Sequence, residues 1–296
     1  MKKDIMMSAG QLRKKRVLRQ RLVRAVIQLI FFISMPSAFV AGFSGVKYIF
    51  SQIYAGNVLE FNSFLITLTG LCIFTILFGR FFCGYVCAFG SLSDFIYEIS
   101  GLIQKKVLRR KKQFSFPESW VCVLQKVKYL ILTLIVIFCC MGIYERFSGS
   151  SPWDVFSMLT VGKTSFSGYT AGIIILIAVS VGMALQERFF CQFLCPMGAL
   201  FALLPVLPVS ELQRNEAGCQ RSCSVCRKNC PVHLYLEKDS FRSGECICCG
   251  KCAEMCPGEN IHSLEGRLSG NELWLVTGKA AMFFIMGTIL GLCRFL

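Results

Sequence analysis

Five stretches of this chain run nearly uncharged for long enough to cross a bilayer, and that feature limits its fold more than any other. They are Ala25–Val46, Phe61–Gly79, Tyr129–Tyr144, Phe166–Gln186 and Leu273–Cys293. A spanning helix needs about 20 mainly apolar residues, because every backbone N–H and C=O in hydrocarbon must be satisfied within the segment. The third run is short, but it extends toward Val121 if Lys126 and Lys128 snorkel to the interface. The fifth contains Lys279, and its alternative is a helix lying on the surface or against the other spans. Pro36 is expected to kink the first helix rather than end it, with neighbouring helices satisfying the freed carbonyl. The first apolar run exceeds a signal-peptide core and no A-x-A site follows it, so it is expected to be retained.

The net charge of +15 raises nucleic acid as a partner, but the placement of the charge answers otherwise. Nine basic residues (Lys2, Lys3, Arg13, Lys14, Lys15, Arg16, Arg19, Arg21 and Arg24) precede the first run, and six more lie in KKVLRRKK after the second. Fifteen of 32 basic residues thus sit in two short juxtamembrane segments, where the positive-inside rule predicts cytoplasm. The opposite loops are balanced, with Lys47 against Glu60, and Glu145 and Asp154 against Arg146 and Lys163. No nucleic-acid-binding fold surrounds the basic runs.

Eighteen cysteines need sorting. Disulfides require an oxidising compartment, yet most of these cysteines map to the cytoplasmic side. CQRSCSVCRKNCP supplies Cys219, Cys223, Cys226 and Cys230, and CICCGKCAEMCP supplies Cys246, Cys249, Cys252 and Cys256. The second run is a complete C-x2-C-x2-C-x3-C-P; the first has one extra residue between its first two cysteines. In two-cluster ferredoxins the last cysteine of each run ligates the other cluster. Cys219, Cys223, Cys226 and Cys256 are therefore assigned to one [4Fe–4S] cluster, and Cys246, Cys249, Cys252 and Cys230 to the other. Zinc sites use four ligands each and lack this CP-terminated run. Cys248 is read as a bystander, and Cys72, Cys122, Cys139, Cys140 and Cys293 as packing residues.

Absences narrow the chemistry. No C-x-x-C-H occurs for haem attachment, and His233 and His262 are the only histidines, so paired axial ligands within the membrane are unavailable. Neither a G-x-G-x-x-G nor a Walker A loop is present to support nucleotide binding.

One phrase occurs twice. RFFCGYVCAFG begins at Arg80 and RFFCQFLCPMG at Arg188, so Cys83 and Cys191, Cys87 and Cys195, and Gly90 and Gly198 are each 108 apart. Each copy follows an apolar run, which points to an internal duplication related by an axis along the membrane normal. If each phrase is helical, its cysteines share a face with Cβ atoms about 5–6 Å apart, too far for an unstrained disulfide, which needs roughly 3.5–4.5 Å. Cys83, Cys87, Cys191 and Cys195 are candidates for a shared cofactor or redox site; a reversible thiol pair and plain packing are the alternatives. Arg80 and Arg188 are candidates to offset thiolate charge or hold a quinone oxygen, against the alternative of interface anchors. Asp94 and Glu98, four apart on the next helix, are candidate proton acceptors in quinol oxidation, against solvated surface. Phe81, Phe82, Phe189 and Phe190 are candidate pocket walls, with lipid or core contact as the default.

The doubled C-x3-C(P) phrase followed by a two-cluster cysteine segment resembles the NapH/NosR-type membrane iron–sulfur proteins over roughly residues 20–260. The resemblance rests on RFFCGYVC, RFFCQFLCP and the two CP-terminated runs. It implies quinol-linked electron transfer through the membrane domain and the clusters, as in the membrane subunit of a quinol dehydrogenase. Ala88 stands where the family usually has proline, which puts a strict role for that proline in question. Only a basic tail precedes the first run, so a NapH-like subunit is expected rather than a NosR-like protein with its flavin-binding domain.

The expected fold is an α-helical integral membrane protein of four core spans in two repeats, a fifth C-terminal helix, and a small α+β two-cluster ferredoxin-like domain. The expected divisions are a basic cytoplasmic tail at 1–24, the first membrane repeat at 25–103, a basic loop at 104–120, the second repeat at 121–210, the ferredoxin-like domain at 211–266 and the last helix at 273–293. The expected setting is the inner membrane, with the N-terminus and the cysteine segment cytoplasmic. Expected cofactors are two [4Fe–4S] clusters, a third iron–sulfur or metal centre in the membrane domain, and quinone as substrate. Expected partners are lipid, the quinol pool and a redox protein, either a soluble ferredoxin type or an extracytoplasmic cytochrome or reductase. The alternative is an accessory protein that delivers reducing equivalents to metal-centre assembly of a partner enzyme.

Overall fold

A computed structural model describes residues 2–107, 109, 116–162, 168–207, 212–215, 219, 223–234, 244–263 and 272–294. Residues 108 and 110–115 of the basic loop after the second run, Lys163, and the parts of the cysteine segment at 211, 216–218, 220–222, 235–243 and 264–271 lie outside the described residues. Helices dominate. Helix α1 (Lys2–Ser34) is followed by α2 (Ala38–Ala55), and the two meet at an angle of 61°. Pro36 therefore ends the helix rather than merely kinking it, because it has no N–H to donate and its ring crowds the preceding turn. The Ser34 carbonyl that Ala38 would have bonded instead accepts the backbone N–H of Arg294 at 2.8 Å, so a neighbouring segment does satisfy it.

Helix α3 (Ser63–Phe78) starts at Asn62, whose side chain accepts the Leu65 N–H at 2.9 Å, and stops at Gly79 in a left-handed backbone, φ 68°. A π-helical turn (Phe82–Val86) and α4 (Ala88–Lys106) complete the first half. The second half runs through α5 (Glu118–Leu124), α6 (Val127–Cys140), a 3-10 stretch (Tyr144–Ser150), α7 (Pro152–Val161), α8 (Thr170–Leu185), α9 (Phe189–Phe193) and α10 (Pro196–Leu203). The cysteine segment contributes β1 (Leu212–Arg214), α11 (Val225–Lys228), α12 (Lys251–Met255) and β2 (Ile261–Ser263), and α13 (Glu272–Ile289) closes the chain.

Each of the five apolar runs is mostly helix over its described residues, but they are not five equal spans. Among the described residues, Ser119–Cys140 and Glu272–Ile289 are long and apolar enough to cross a membrane, and the bent α1–α2 pair makes a third if it is one broken span. Helices α3 and α8 have 16 residues each, roughly 24 Å at 1.5 Å per residue against a hydrocarbon core of about 30 Å. The outward faces carry Ile66, Ile73, Leu130, Leu134, Ile174, Ile177, Ile285 and Ile289, all exposed. A soluble monomer rarely presents so large an apolar surface.

Inside, aromatic rings join the two halves. Phe89 stacks on Phe190 at 4.8 Å, Phe39 packs against both, and Phe82 meets Phe201 at 6.0 Å. Phe283 of α13 seats edge-on against Phe31 and Phe74, which places the last helix against the others and not apart from them. Phe81, Phe82 and Phe190 are thus buried core rings, and Phe189 is half-buried beside Phe193 at 5.3 Å.

In the cysteine segment β1 and β2 pair antiparallel with Gln213 opposite His262, so the two strands bracket both cysteine runs. His262 Nδ1 lies 3.0 Å from Glu272 Oε1, tying β2 to the start of α13.

Candidate functional site

The two phrases fold alike. In the first, the Cys87 N–H bonds the Phe82 carbonyl at 2.8 Å; in the second, the Cys195 N–H bonds the Phe190 carbonyl at 2.9 Å. Both are i→i−5 closures: in the first phrase part of a π-helical turn, in the second the turn that ends the α-helix α9. The first phrase is therefore π-helical, while the second keeps a short α-helix, α9, up to that closure. The second cysteine of each leaves the turn in an extended conformation and becomes the N-cap of the next helix (Cys87 φ −60°, ψ 120°; Cys195 φ −74°, ψ 111°). Pro196 and Ala88 both occupy the first helical position, where no N–H is needed, so alanine can serve where the family has proline.

The fold brings the four phrase cysteines together. All are buried, and each lies within electrostatic reach of the other three: Cys195 of Cys191, Cys83 and Cys87, Cys87 of Cys191 and Cys83, and Cys191 of Cys83. Among the described residues no three ligand side chains converge closely enough to chelate one ion.

Arg80 and Arg188 are not interface anchors, being 1% and 0% exposed. Arg188 crosses to the other phrase, donating from Nη1 to the Cys83 carbonyl at 2.5 Å and from Nη2 to the Gly84 carbonyl at 3.1 Å. It also clamps Asp94 at 2.7 and 2.6 Å in the bidentate geometry that suits guanidinium and carboxylate. Asp94 further accepts from Arg24 at 2.9 Å and Gln28 at 2.8 Å. Burial pushes the Asp94 carboxyl up, but Arg188 and Arg24 hold it well below the usual carboxylate range. Asp94 is therefore held as a counter-ion to Arg188 and Arg24, while Glu98, one turn on, is exposed. The crossing needs room. A Cβ on Gly90 would lie 2.2 Å from Arg188 Nη1, and one on Gly198 would lie 3.0 Å from Arg80 Nη2, so each arginine passes over the glycine of the opposite phrase. Arg188 holds a left-handed backbone, φ 56°, at a cost of about 1–2 kcal/mol that these contacts offset.

The cysteine segment sits directly on the phrases. Cys230, Cys246, Cys249 and Cys252 line one cavity, closed by Leu212, Val232, Leu234 and Ile247. That is the set the spacing assigned to one cluster. Burial pushes the Cys230 thiol up to about 12 and raises Cys249 and Cys252 as well, so these thiols stay protonated unless a bound cation favours their thiolates. Cys226 and Cys256 of the other set pack together with Ile261, and Cys219 accepts from Arg214 at 3.2 Å within electrostatic reach of Cys226. Cys223 is half-buried nearby in sequence. Cys248 is not on the cavity wall; its sulfur lies where a side chain on Gly79 would be, at 2.7 Å.

Contacts between phrases and segment are short. Tyr85 donates to the Cys249 carbonyl at 3.2 Å, a Cβ on Gly84 would stand 2.4 Å from the Ile247 carbonyl oxygen, and Gln192 donates to the Pro231 carbonyl. Arg24 lies over the Tyr85 ring at 5.8 Å and within electrostatic reach of Cys249, with Nε and Nη1 buried and unbonded among the described residues. Buried donors without partners cost about 1–3 kcal/mol each, and cluster sulfur at the Cys249 corner is an acceptor that would satisfy them.

Arg24, Gln28, Lys128, Tyr129, Gln192 and Glu245 were not found from sequence as site residues. Lys128 does not snorkel: it is 1% exposed and bonds Glu245, which also accepts from Tyr129 at 2.5 Å and Arg80 at 3.2 Å. Burial raises the Glu245 carboxyl, yet Arg80 and Lys128 hold it below its ordinary value. A charged residue beside an apolar run was the one available signal for Lys128.

Helices fit for a bilayer, with cysteines gathered in this way, are the features of a membrane iron–sulfur protein. A family model described as a 4Fe-4S binding domain matches residues 62–113 and 170–209, the stretches that hold the two phrases. An uncharacterized protein of Methanocaldococcus jannaschii is 26% identical over 80% of this chain and 84% of its own length. The putative electron transport protein YccM of Escherichia coli K12 is 24% identical over 75% of this chain and 62% of its own length. The ferredoxin-type protein NapH of the same organism is 25% identical over 69% of each. Within the class, the similarity is thus to the NapH/NosR-type membrane iron–sulfur proteins. No solved structure matches the chain.

Proposed function

We propose that this protein carries electrons between membrane quinol and a redox partner protein, as the membrane subunit of a quinol dehydrogenase. Two [4Fe–4S] clusters are assigned to Cys219, Cys223, Cys226 and Cys256, and to Cys230, Cys246, Cys249 and Cys252. A third centre is assigned to Cys83, Cys87, Cys191 and Cys195, and the two phrases that hold it are read as an internal repeat. The observation that carries the reading is that Arg188 is in electrostatic contact with Cys191 of the phrase set and Cys249 of the cavity set while bonded to the backbone at Cys83 and Gly84. One buried side chain thus links both sets. The two matched stretches begin 108 residues apart, the offset of the phrases, and this supports both the repeat and an iron–sulfur role for the phrase cysteines.

When bound, iron–sulfur clusters supply one-electron carriers whose potentials depend on charge, hydrogen bonds and burial. The protein's own part is to exclude water and fix charge. Arg80, Arg188, Arg24 and Lys128 bring buried positive charge beside the thiolates, and Asp94 and Glu245 compensate part of it. Quinol oxidation releases two electrons and two protons; with Asp94 locked, exposed Glu98 is the remaining candidate carboxylate on that helix to take a proton. The basic juxtamembrane segments support an inner-membrane setting with the cysteine segment in the cytoplasm.

Anaerobic protein mixed with menaquinol or ubiquinol analogues tests the proposal. Bleaching of the iron–sulfur absorbance by quinol is expected. Clusters that dithionite reduces and quinol does not would remove the quinol step from this subunit.

A further inference from the structure

The 108-residue offset pairs Arg80 with Arg188 and Gly90 with Gly198, and it pairs Asp94 with Ala202. The second copy therefore lacks the carboxylate that neutralises the crossing arginine in the first. Arg80 is nonetheless fully buried and bonded: its Nη1 donates to the Gly244 carbonyl at 3.1 Å and to Glu245 Oε2 at 3.2 Å. Gly244 lies so close over Ala202 that a Cβ there would stand 2.1 Å from the Ala202 carbonyl oxygen. Glu245 thus enters the place left by the missing side chain, and Lys128 and Tyr129 close on its two oxygens. The next residue, Cys246, is on the cavity wall.

We propose that Glu245 is a positioning residue: it supplies to the second phrase the carboxylate that Ala202 does not, and so seats the Cys246–Cys252 run against the four phrase cysteines. This rests on the electron-transfer reading for its purpose, and on the geometry alone for the clasp. A buried charge without its partner is costly, so the fully buried Arg80 and Lys128 bind the segment only if Glu245 arrives, and Glu245 becomes half-buried only when the segment docks. Docking of the cysteine run and neutralisation of the membrane site are one event.

The test uses the full chain purified without oxygen, as wild type, Glu245→Gln and Glu245→Asp. In Glu245→Gln, amide exchange at 244–250 is expected to rise by about a hundredfold, since stripping one partner from a buried pair shifts a local opening equilibrium on that scale. The EPR splitting from spin coupling between reduced centres is expected to disappear while iron content stays at the wild-type level. Glu245→Asp should recover part of both signals. Should Glu245→Gln fail to fold, Tyr129→Phe removes a single donor, and an exchange increase of about tenfold is expected. Wild-type exchange and splitting in Glu245→Gln, or in Tyr129→Phe where that stands in, would overturn the clasp. Wild-type protein without iron would instead defeat the electron-transfer reading, and the exchange data would still judge the clasp.

Discussion

Replacing Asp94 by asparagine should be among the most destabilising single changes in the membrane half. The native carboxylate accepts two bonds from Arg188, one from Arg24 and one from Gln28, at 2.6–2.9 Å. Arg188 is 0% exposed and Arg24 6%, so the variant leaves two guanidinium groups buried without a counter-ion and turns an amide toward a ring of donors. Breaking a buried pair from one side costs about 3–5 kcal/mol, a large share of a typical net stability of about 5–15 kcal/mol. Unfolding in mixed micelles by a denaturing detergent, followed by near-UV circular dichroism, measures the loss against Glu98→Gln. Glu98 is exposed, and its change should stay within about 0.5 kcal/mol of wild type. The pH dependence carries the same sign. Asp94's native pKa is depressed, so its contribution is fully present above its unfolded value of about 3.9 and lost as pH falls below that. Wild type and Asp94→Asn should converge in acid. Equal stability of Asp94→Asn and Glu98→Gln at neutral pH would refute the counter-ion argument.

Other changes separate the two crossings. Gly90→Ala sets a methyl 2.2 Å from Arg188 Nη1 and 2.9 Å from the Cys83 carbonyl, whereas Gly198→Ala meets Arg80 at 3.0 Å. Thermal midpoints in detergent should fall far more for Gly90→Ala, with overpacking costs of about 1–3 kcal/mol or above; equal effects would count against the crossing. Gly84→Ala pushes against the rigid Ile247 carbonyl at 2.4 Å, so amide exchange across 246–250 should quicken while that of α2 and α3 stays as in wild type. Pro36→Ala should lengthen α1 past Ser34 and break the Arg294 contact, read as faster exchange at Arg294.

Much of this was legible in the sequence because the signals were local or periodic. Spacing alone grouped Cys230 with Cys246, Cys249 and Cys252, and the fold gathers these four around one cavity. The repeat register anticipated that four phrase cysteines would meet, since equal positions in two like units fall together. What escaped depends on distance along the chain. Glu245 lies 117 positions from Lys128, and nothing near either residue announces the other, so Lys128 reads locally as an interface lysine. Arg80 and Arg188 likewise read as anchors until the opposite phrase supplies carbonyls and carboxylates to bury them. The wide turn in each phrase was missed because C-x3-C fits an α-helical face equally well. Pro36 broke its helix for want of an N–H and by the crowding of its ring, and the partner for the Ser34 carbonyl left open, Arg294, comes from the far end of the chain, where no local signal reaches.

The most direct measurement is iron and acid-labile sulfide per chain in anaerobically purified protein, compared with Cys83→Ser/Cys191→Ser. Two cubanes account for about eight irons; wild type should exceed that, and the double variant should fall back to it while keeping the EPR signals of the two clusters assigned to the cysteine segment. Colourless wild-type protein without labile sulfide would contradict the whole account, and an iron count unchanged by the double substitution would return the phrase cysteines to packing.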